Sequence, residues 1–199
     1  MSEENPDFEI NNVVATVKLD LSKRLDLIKM TRKAPESEYN PEKFPGLILR
    51  IEKPKASFLI FTTGSMVITG LKNVLLVEKA VKKVFKMLKK FGFKLPKPEI
   101  KIENLVASGD LHTSIDLNKA VIFMESAMYE PEVFPGLIYH MKDPRAVFLI
   151  FSTGKIVCTG VKNEESVKEA ILKLNQEIYE LKLTLEPKIE EEYEEIYFL

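Results

Sequence analysis

The sequence predicts an α+β fold made of two similar halves, in which helices cover one face of an antiparallel sheet. The first observation is a repeat: residues 39–73 recur ninety positions later as residues 129–163, with 21 identities over 35 ungapped positions. In each copy short alternating strands follow one another with brief turns, which favours antiparallel pairing. A long amphipathic helix follows each copy and needs a sheet face to cover. Duplication also predicts pseudo-two-fold symmetry, so a site on the shared surface should occur twice.

Each half begins with a predicted strand and a short helix. The strands are INNVVATVKLD and IENLVASGDL, in which apolar residues alternate with others. The helices are LSKRLDLIKM and LNKAVIFMES. Ser22 and Asn118 are their expected N-caps, because a side-chain oxygen there can accept a hydrogen bond from a free backbone N–H group.

Three short strands come next in each half. They are FPGLILRIE, ASFLIFTTG and SMVITG in the first half and FPGLIYHMK, AVFLIFSTG and KIVCTG in the second. Pro54 and Pro144 lie at matching turns, and Gly64 and Gly154 at matching hairpin tips. Strand alternation assigns one face of the first hairpin to the core under the helices. These core positions are Phe58, Ile60, Met66 and Ile68.

The opposite face of the same strands carries leucine, phenylalanine, valine and threonine in duplicate. An uncovered apolar patch of this kind marks an interaction surface. A shift of one residue in the strand phase would exchange the two faces, so burial of this set in the core remains the alternative. The set comprises Leu59, Phe61, Thr63, Val67 and Thr69 in the first half and Leu149, Phe151, Val157 and Thr159 in the second.

The chain divides into four predicted parts. An acidic segment covers residues 1–9, the two repeats cover 10–95 and 96–185, and an acidic tail covers 186–199. The two acidic ends together carry a net charge of −9, whereas residues 10–185 hold 28 basic and 20 acidic residues, a net charge of +8. A basic body with acidic ends indicates a polyanionic partner, and a solvated lysine-rich surface is the alternative.

Composition favours a protein of the cell interior. The chain is 45% apolar and 30% charged, as is typical of a globular protein, and no apolar stretch approaches the length that spans a bilayer. The N-terminal residues MSEENPDF lack the features of a secretory signal. The single cysteine, Cys158, lies in an apolar run, so a reduced and buried thiol is expected. We therefore expect a cytoplasmic protein without membrane association.

Catalysis is not expected. The two histidines, His112 and His140, fall outside the duplicated pattern, and no metal-ligand cluster or phosphate-binding glycine loop occurs. The repeated features are apolar, amide or hydroxyl groups. The sequence therefore predicts a binding protein without a cofactor. An RNA-binding sheet is a competing class, although the aromatic-glycine signature of RNA-recognition domains is missing. A second alternative is that the apolar face is buried in a homodimer.

Several duplicated motifs together resemble the TATA-box-binding protein family. They are FPGLI, the LIF[TS]TG hairpin followed by V-x-TG, the N-x-V starts at Asn12 and Asn104, and the YxPExFPG turns. The resemblance covers about residues 8–185, and the short acidic ends are similar to those of archaeal members. It implies a saddle whose curved sheet places its concave face in the DNA minor groove, with helices on the convex face. It further implies a general initiation factor that binds AT-rich promoter elements, bends the DNA, and recruits transcription factor B and RNA polymerase.

The resemblance also implies roles for individual residues. By match to the family, Phe44 with Phe61 and Phe134 with Phe151 insert at the two ends of the DNA site. Asn12 and Asn104 donate hydrogen bonds at its centre, aided by Thr69 and Thr159. The apolar floor comprises Val14, Val67, Leu59, Val106, Val157 and Leu149. The phosphate-contacting rim comprises Arg50, Lys55, Arg145, Lys155, Thr63 and Thr153. Where the family expects basic residues, this chain has Ser65 and His140, and Glu130 and Glu132 match the surface that binds transcription factor B.

Overall fold

The structure is a computed structural model that describes residues 6–185, and this part of the chain contains ten strands and four helices. The first half comprises β1 (Asp7–Lys18), α1 (Leu27–Lys33), β2 (Ser37–Glu38), β3 (Leu47–Glu52), β4 (Lys55–Ile60), β5 (Met66–Leu71) and α2 (Leu76–Lys90). The second half comprises β6 (Glu99–Asp110), α3 (Leu117–Phe123), β7 (Ala127–Met128), β8 (Leu137–Met141), β9 (Ala146–Ile150), β10 (Lys155–Val161) and α4 (Glu164–Glu180).

All ten strands form one antiparallel sheet. Its order is β2-β3-β4-β5-β1-β6-β10-β9-β8-β7, so the two halves meet where β1 pairs with β6. The order is the same on both sides of this central pair, as pseudo-two-fold symmetry requires. The predicted α+β fold, with two similar halves sharing one antiparallel sheet, is confirmed.

The hydrophobic core lies between one face of the sheet and the helices. On β1, Val13, Ala15 and Val17 are buried, and they alternate with partly exposed neighbours. The long helices bury one stripe each against this face, through residues such as Val84 of α2 and Leu174 of α4. The predicted core positions of the first hairpin are confirmed, since all four are fully buried: Phe58, Ile60, Met66 and Ile68.

The predicted caps Ser22 and Asn118 are wrong. Helix α1 begins later than predicted, at Leu27, whereas α3 begins at Leu117, one residue before its predicted cap. Asp26 caps α1 by accepting from the backbone N–H of Lys29 at 2.9 Å, and Asp116 caps α3 in the same way. Just before Asp26, the backbone N–H of Leu25 bonds to the carbonyl of Thr62 at 2.8 Å. This long-range bond holds the chain extended, and the helix can begin only after it.

The ends of the described chain bear on two further predictions. Strand β1 begins at Asp7, which pairs with Asp110, so part of the predicted acidic segment 1–9 belongs to the sheet. The predicted acidic tail 186–199 lies outside the described residues. Within residues 6–185, every helix is too short or too polar to cross a membrane.

Cys158 lies on the core side of β10 and is fully buried. Burial disfavours the charged thiolate and raises the pKa of the Cys158 thiol to about 12. The thiol is therefore protonated at neutral pH and packs as a small apolar side chain, as the sequence predicts.

Candidate nucleic-acid interface

The sheet face opposite the helices, called the open face below, carries the predicted apolar floor. Val14 of β1 and Val106 of β6 are partly exposed, whereas their neighbours Val13 and Leu105 are fully buried. The strand phase assumed from the sequence is therefore correct. The remaining floor residues are also partly exposed on this face: Leu59, Val67, Leu149 and Val157.

Two asparagines lie at the centre of the open face, on the paired strands β1 and β6. The Oδ1 atom of Asn12 accepts from the backbone N–H of Gly70 at 2.7 Å and from the hydroxyl of Thr69 at 3.1 Å. In the other half, the Oδ1 atom of Asn104 accepts from Gly160 N–H at 2.8 Å, and its Nδ2 donates to the Thr159 hydroxyl at 3.0 Å. The two halves thus fix their asparagine oxygens in the same manner.

This anchoring decides what the asparagines offer to a ligand. Their carboxamide oxygens already accept from backbone N–H groups, so their remaining capacity is as N–H donors, although one N–H of Asn104 is already bonded to Thr159. Gly70 and Gly160 can approach so closely because their backbone φ angles are +90° and +86°, which L side chains rarely adopt. The centre of the open face is therefore a pair of oriented donors set in apolar surroundings.

The four predicted wedge residues form two equivalent pairs at the ends of the open face. The rings of Phe44 and Phe61 pack edge to face with centroids 5.9 Å apart, and Phe134 and Phe151 pack at the same distance. Phe44 is 37% exposed, and the other three are partly exposed. None of the four is a core residue, in contrast to Phe58 and Phe148, which are fully buried.

A glycine makes room for each aromatic pair. A Cβ atom on Gly136 would lie 2.8 Å from Cε1 of Phe134 and 3.1 Å from Cε1 of Phe151. Gly46 has the same relation to Phe44 and Phe61, at 2.7 and 3.1 Å. The glycine in each FPG motif is therefore a packing requirement of the phenylalanine before it.

The predicted rim residues are exposed around the open face. Lys55 and Lys155 are the first residues of β4 and β10, and Arg145 lies in the turn before β9. Thr63 and Thr153 lie at hairpin turns.

Arg50 also points to the open side of β3, but it is not free. Its guanidinium Nη1 is 2.6 Å from the Glu38 carboxylate. A phosphate at this position would have to compete with that carboxylate, so the phosphate contact predicted for Arg50 stays a prediction.

Glu130 and Glu132 lie in the exposed turn before Phe134. Their exposure is compatible with a protein contact, and that role stays a prediction.

The structure adds residues to the open face that the sequence did not single out. Ile48 and Ile138 lie beside Leu59 and Leu149 in the strand pairing, and the alternation in FPGLI could have revealed them. Thr16, Glu103 and Lys162 form a polar chain next to the central asparagines. No sequence signal reveals this chain, because it depends on pairing between distant strands.

Among the described residues, no group of three or more histidine, cysteine, aspartate or glutamate side chains is placed to hold a metal ion. His112 instead bridges two strands, with Nε2 at 3.2 Å from Asp7 and Nδ1 at 3.9 Å from Asp110.

The sequence is similar to known TATA-binding proteins along most of its length. The family model described as "Transcription factor TFIID (or TATA-binding protein, TBP)" matches residues 7–91 and 99–181. The TATA-box-binding protein of Pyrobaculum calidifontis is 52% identical over 182 residues, which is 91% of this chain and 90% of that protein. The TATA-box-binding protein of Sulfurisphaera tokodaii is 52% identical over 186 residues, covering 93% and 92% of the two chains.

A solved structure supports the architecture. "Methanococcus jannaschii TBP" superposes with a TM-score of 0.80 at 42% sequence identity, covering 87% of this chain and 99% of that one. The curved, saddle-like sheet that the resemblance implied is thereby confirmed, with the open face as its concave side.

The glycine requirement can be tested with Gly136→Ala. The added methyl group should displace the Phe134 ring and cost about 1–3 kcal/mol of stability, as overpacking typically does. NMR signals of the Phe134 and Phe151 rings should shift, and Gly46→Ala should do the same to Phe44 and Phe61. Ser152→Ala, next to Phe151, adds no atoms and serves as the control. Unchanged ring signals in both glycine variants would show that the pairs do not depend on these glycines.

Proposed function

Because the chain belongs to the TATA-binding protein family, in its archaeal branch, we propose that it is a transcription initiation factor that binds AT-rich TATA elements in the DNA minor groove. The family comprises DNA-binding transcription factors and not enzymes. The observation that carries the proposal is the duplicated pair of anchored asparagines in an apolar open face.

The chemistry of this face matches the minor groove of A·T pairs. That groove offers only acceptors, adenine N3 and thymine O2, whereas a G·C pair adds the guanine amino donor. The amide N–H groups of Asn12 and Asn104 can donate to those acceptors. The surrounding valines and leucines leave a guanine amino group without an acceptor, and burying an unpaired donor is costly. The face should therefore select A·T pairs.

Bending follows from the two phenylalanine pairs. An apolar wedge between base steps partly unstacks them, at a cost of about a few kcal/mol per step, and bends the duplex away from the protein. Phe44 with Phe61 and Phe134 with Phe151 lie at opposite ends of the open face, where wedges would produce two separate kinks. The cost is offset if the bent duplex contacts more of the concave surface.

Phosphate contacts would come from the rim. Lys55, Arg145 and Lys155 are exposed there, and the body of the chain carries a net charge of +8. Released counterions make such binding weaker as salt rises. A nucleic-acid partner places the protein with the chromosome inside the cell, and so we propose a nucleoid-associated, cytoplasmic location.

In the absence of DNA, the apolar open face can be covered by a second copy of the chain. Such a homodimer would bury the same surface that DNA occupies, so duplex and dimerisation should exclude each other. An RNA-binding role is less well supported, because the aromatic side chains pack in pairs at the ends of the sheet and not singly at its middle.

Recruitment of transcription factor B, and through it RNA polymerase, is proposed for the exposed turn at Glu130 and Glu132. Acidic side chains at the rim of a DNA site would repel phosphates, which favours a basic protein surface as their partner. The equivalent turn of the first half has Asn40 and Glu42 followed by Lys43, so the two ends of the saddle differ in charge.

Base selection can be measured by fluorescence anisotropy with an AT-rich duplex, a GC-rich duplex of equal length and a single-stranded RNA. The AT-rich duplex should bind at least about tenfold more tightly, because one unfavourable base pair typically costs about 1–3 kcal/mol. The affinity should fall steeply with salt. Equal affinity for all three ligands would contradict minor-groove recognition, and preference for the RNA would favour a base-stacking protein.

Bending can be measured by energy transfer between the ends of a labelled AT-rich duplex. Phe151→Ala should reduce the bend and leave the melting temperature nearly unchanged, because the ring is partly exposed. Phe148→Ala is the matched control: its ring is fully buried three residues away, so it should lose about 3–5 kcal/mol of stability. If Phe151→Ala unfolds the protein as Phe148→Ala does, Phe151 is a core residue and the wedge assignment is wrong.

The recruitment surface can be tested by reversing its charge. The double variant Glu130→Lys and Glu132→Lys should bind AT-rich DNA at least as tightly as the parent chain, because it adds positive charge. It should fail to form the ternary complex with transcription factor B in a gel-shift assay. Glu42→Lys, at the equivalent turn of the first half, should form that complex normally. If the double variant forms the ternary complex normally, transcription factor B binds elsewhere on the protein and the assignment of Glu130 and Glu132 is wrong.

A further inference from the structure

Glu103 occupies a special backbone position beside the centre of the open face. In the pairing of β1 with β6, Val14 faces Asn104 and Ala15 faces Ile102, so Glu103 is the extra residue of a β-bulge. Bulges redirect a side chain relative to the regular strand pattern. The pseudo-symmetric bulge falls at Asn11, and each bulge residue directly precedes a central asparagine.

The Glu103 carboxylate links the open face to two lysines. Its Oε1 atom accepts from the hydroxyl of Thr16 at 3.0 Å, and Thr16 lies on the open side of β1 between buried Ala15 and Val17. Its Oε2 atom accepts from Lys162 Nζ at 3.2 Å, and Lys101 Nζ is 3.6 Å from Oε1. Both lysines keep more than half of their side chains exposed.

The carboxylate is charged under ordinary conditions. Hydrogen bonds from Lys162 and then from Thr16 lower the pKa of Glu103 below its usual range. The group therefore stays negative at neutral pH, where DNA is bound. It is a fixed negative charge next to a surface that we assign to a polyanion.

The bulge residue of the first half carries no charge. Asn11 is neutral, and it donates its Nδ2–H to the exposed carboxylate of Glu9 at 2.9 Å. Glu9 is the counterpart of Lys101, and within residues 6–185 it forms no ion pair with a lysine. Lys72, the counterpart of Lys162 after the matching strand, is not among the ion-paired lysines of residues 6–185. The duplicated fold therefore forms this bulge with a neutral residue at the extra position, and the pairing of the strands does not require a carboxylate there.

We propose that Glu103 is a built-in competitor of DNA phosphates, which holds Lys162 and Lys101 in the free protein and restrains the affinity of the second half of the saddle. The proposal rests on the DNA-binding function argued above. A phosphate that reaches these lysines must displace or share them with Glu103, and it meets the repulsion of a nearby carboxylate. In the first half, Lys72 can meet a phosphate without that competition.

The consequence is electrostatic asymmetry at the centre of a nearly symmetric site. Lys72 and Lys162 occupy equivalent positions, but only Lys162 is paired with a carboxylate that faces the DNA site. The number of phosphates that the protein neutralises is then smaller than its count of lysines and arginines around the open face indicates. Glu103 should therefore weaken both the binding and its salt dependence.

The Glu103→Gln variant can be compared with the parent chain by fluorescence anisotropy titration of the AT-rich duplex over a series of salt concentrations. Glutamine keeps an acceptor for Thr16 but removes the charge. Binding should become about three- to tenfold tighter at low salt, and the slope of log K against log salt should steepen by up to about 0.9, the value for one added phosphate contact. The converse variant, Asn11→Glu, should weaken binding and flatten the slope.

Glu78→Gln is the matched control, because it removes a glutamate that pairs with Lys82 on α2, on the helix-covered side of the sheet. It changes the net charge equally and should leave affinity and slope close to those of the parent. Equal behaviour of Glu103→Gln and Glu78→Gln overturns the proposal, as does tighter binding without a steeper slope. Failure of the parent chain to prefer AT-rich DNA overturns the proposed function instead.

Discussion

The two-residue period of the β-strand is the constraint on which the rest of this molecule depends. Each strand must supply the core with one set of side chains and the open face with the other. Phe58 and Phe148 are fully buried under the helices, whereas the adjacent Leu59 and Leu149 belong to the open face. A slip of one residue in any pairing would expose the core and bury the site, so stability and binding fix the same register.

Because the chain is duplicated, the same local arrangements of side chains occur at both ends of the site. The anchored asparagines, the aromatic pairs and the glycines beneath them are nearly superimposable between the halves. Several differences between the halves change the charge around the open face. Lys155 replaces Ser65, His140 replaces Arg50, and Glu103 replaces Asn11. A fold with two equivalent halves can thus carry a directional distribution of charge without any change in its strand order.

The open face leaves an apolar surface exposed in the free chain. Such a surface favours association between copies of the protein unless surrounding charges oppose it. The exposed bases around its rim and the carboxylates of Glu38 and Glu103 provide that charge locally. These ion pairs are exposed and contribute little to stability. Their effect is on binding, since a phosphate must compete for Arg50 and Lys162 before it gains a full contact. The rim should therefore bind phosphates less tightly than its number of lysines and arginines indicates.

The sequence by itself determined the duplication, the strand phase and the two faces, because these follow from repeat spacing and periodicity within short segments. The paired phenylalanines and the central asparagines were indicated by the resemblance of the duplicated motifs to the TATA-box-binding protein family. Tertiary structure alone decided the start of α1, where a bond from Leu25 to Thr62 overrides an equally good cap at Ser22. It also decided the bulges and the contact of Thr16 with Glu103, residues 87 positions apart. Local patterns contain no information on such pairings, since a bulge shifts the register between two strands whose own sequences remain regular.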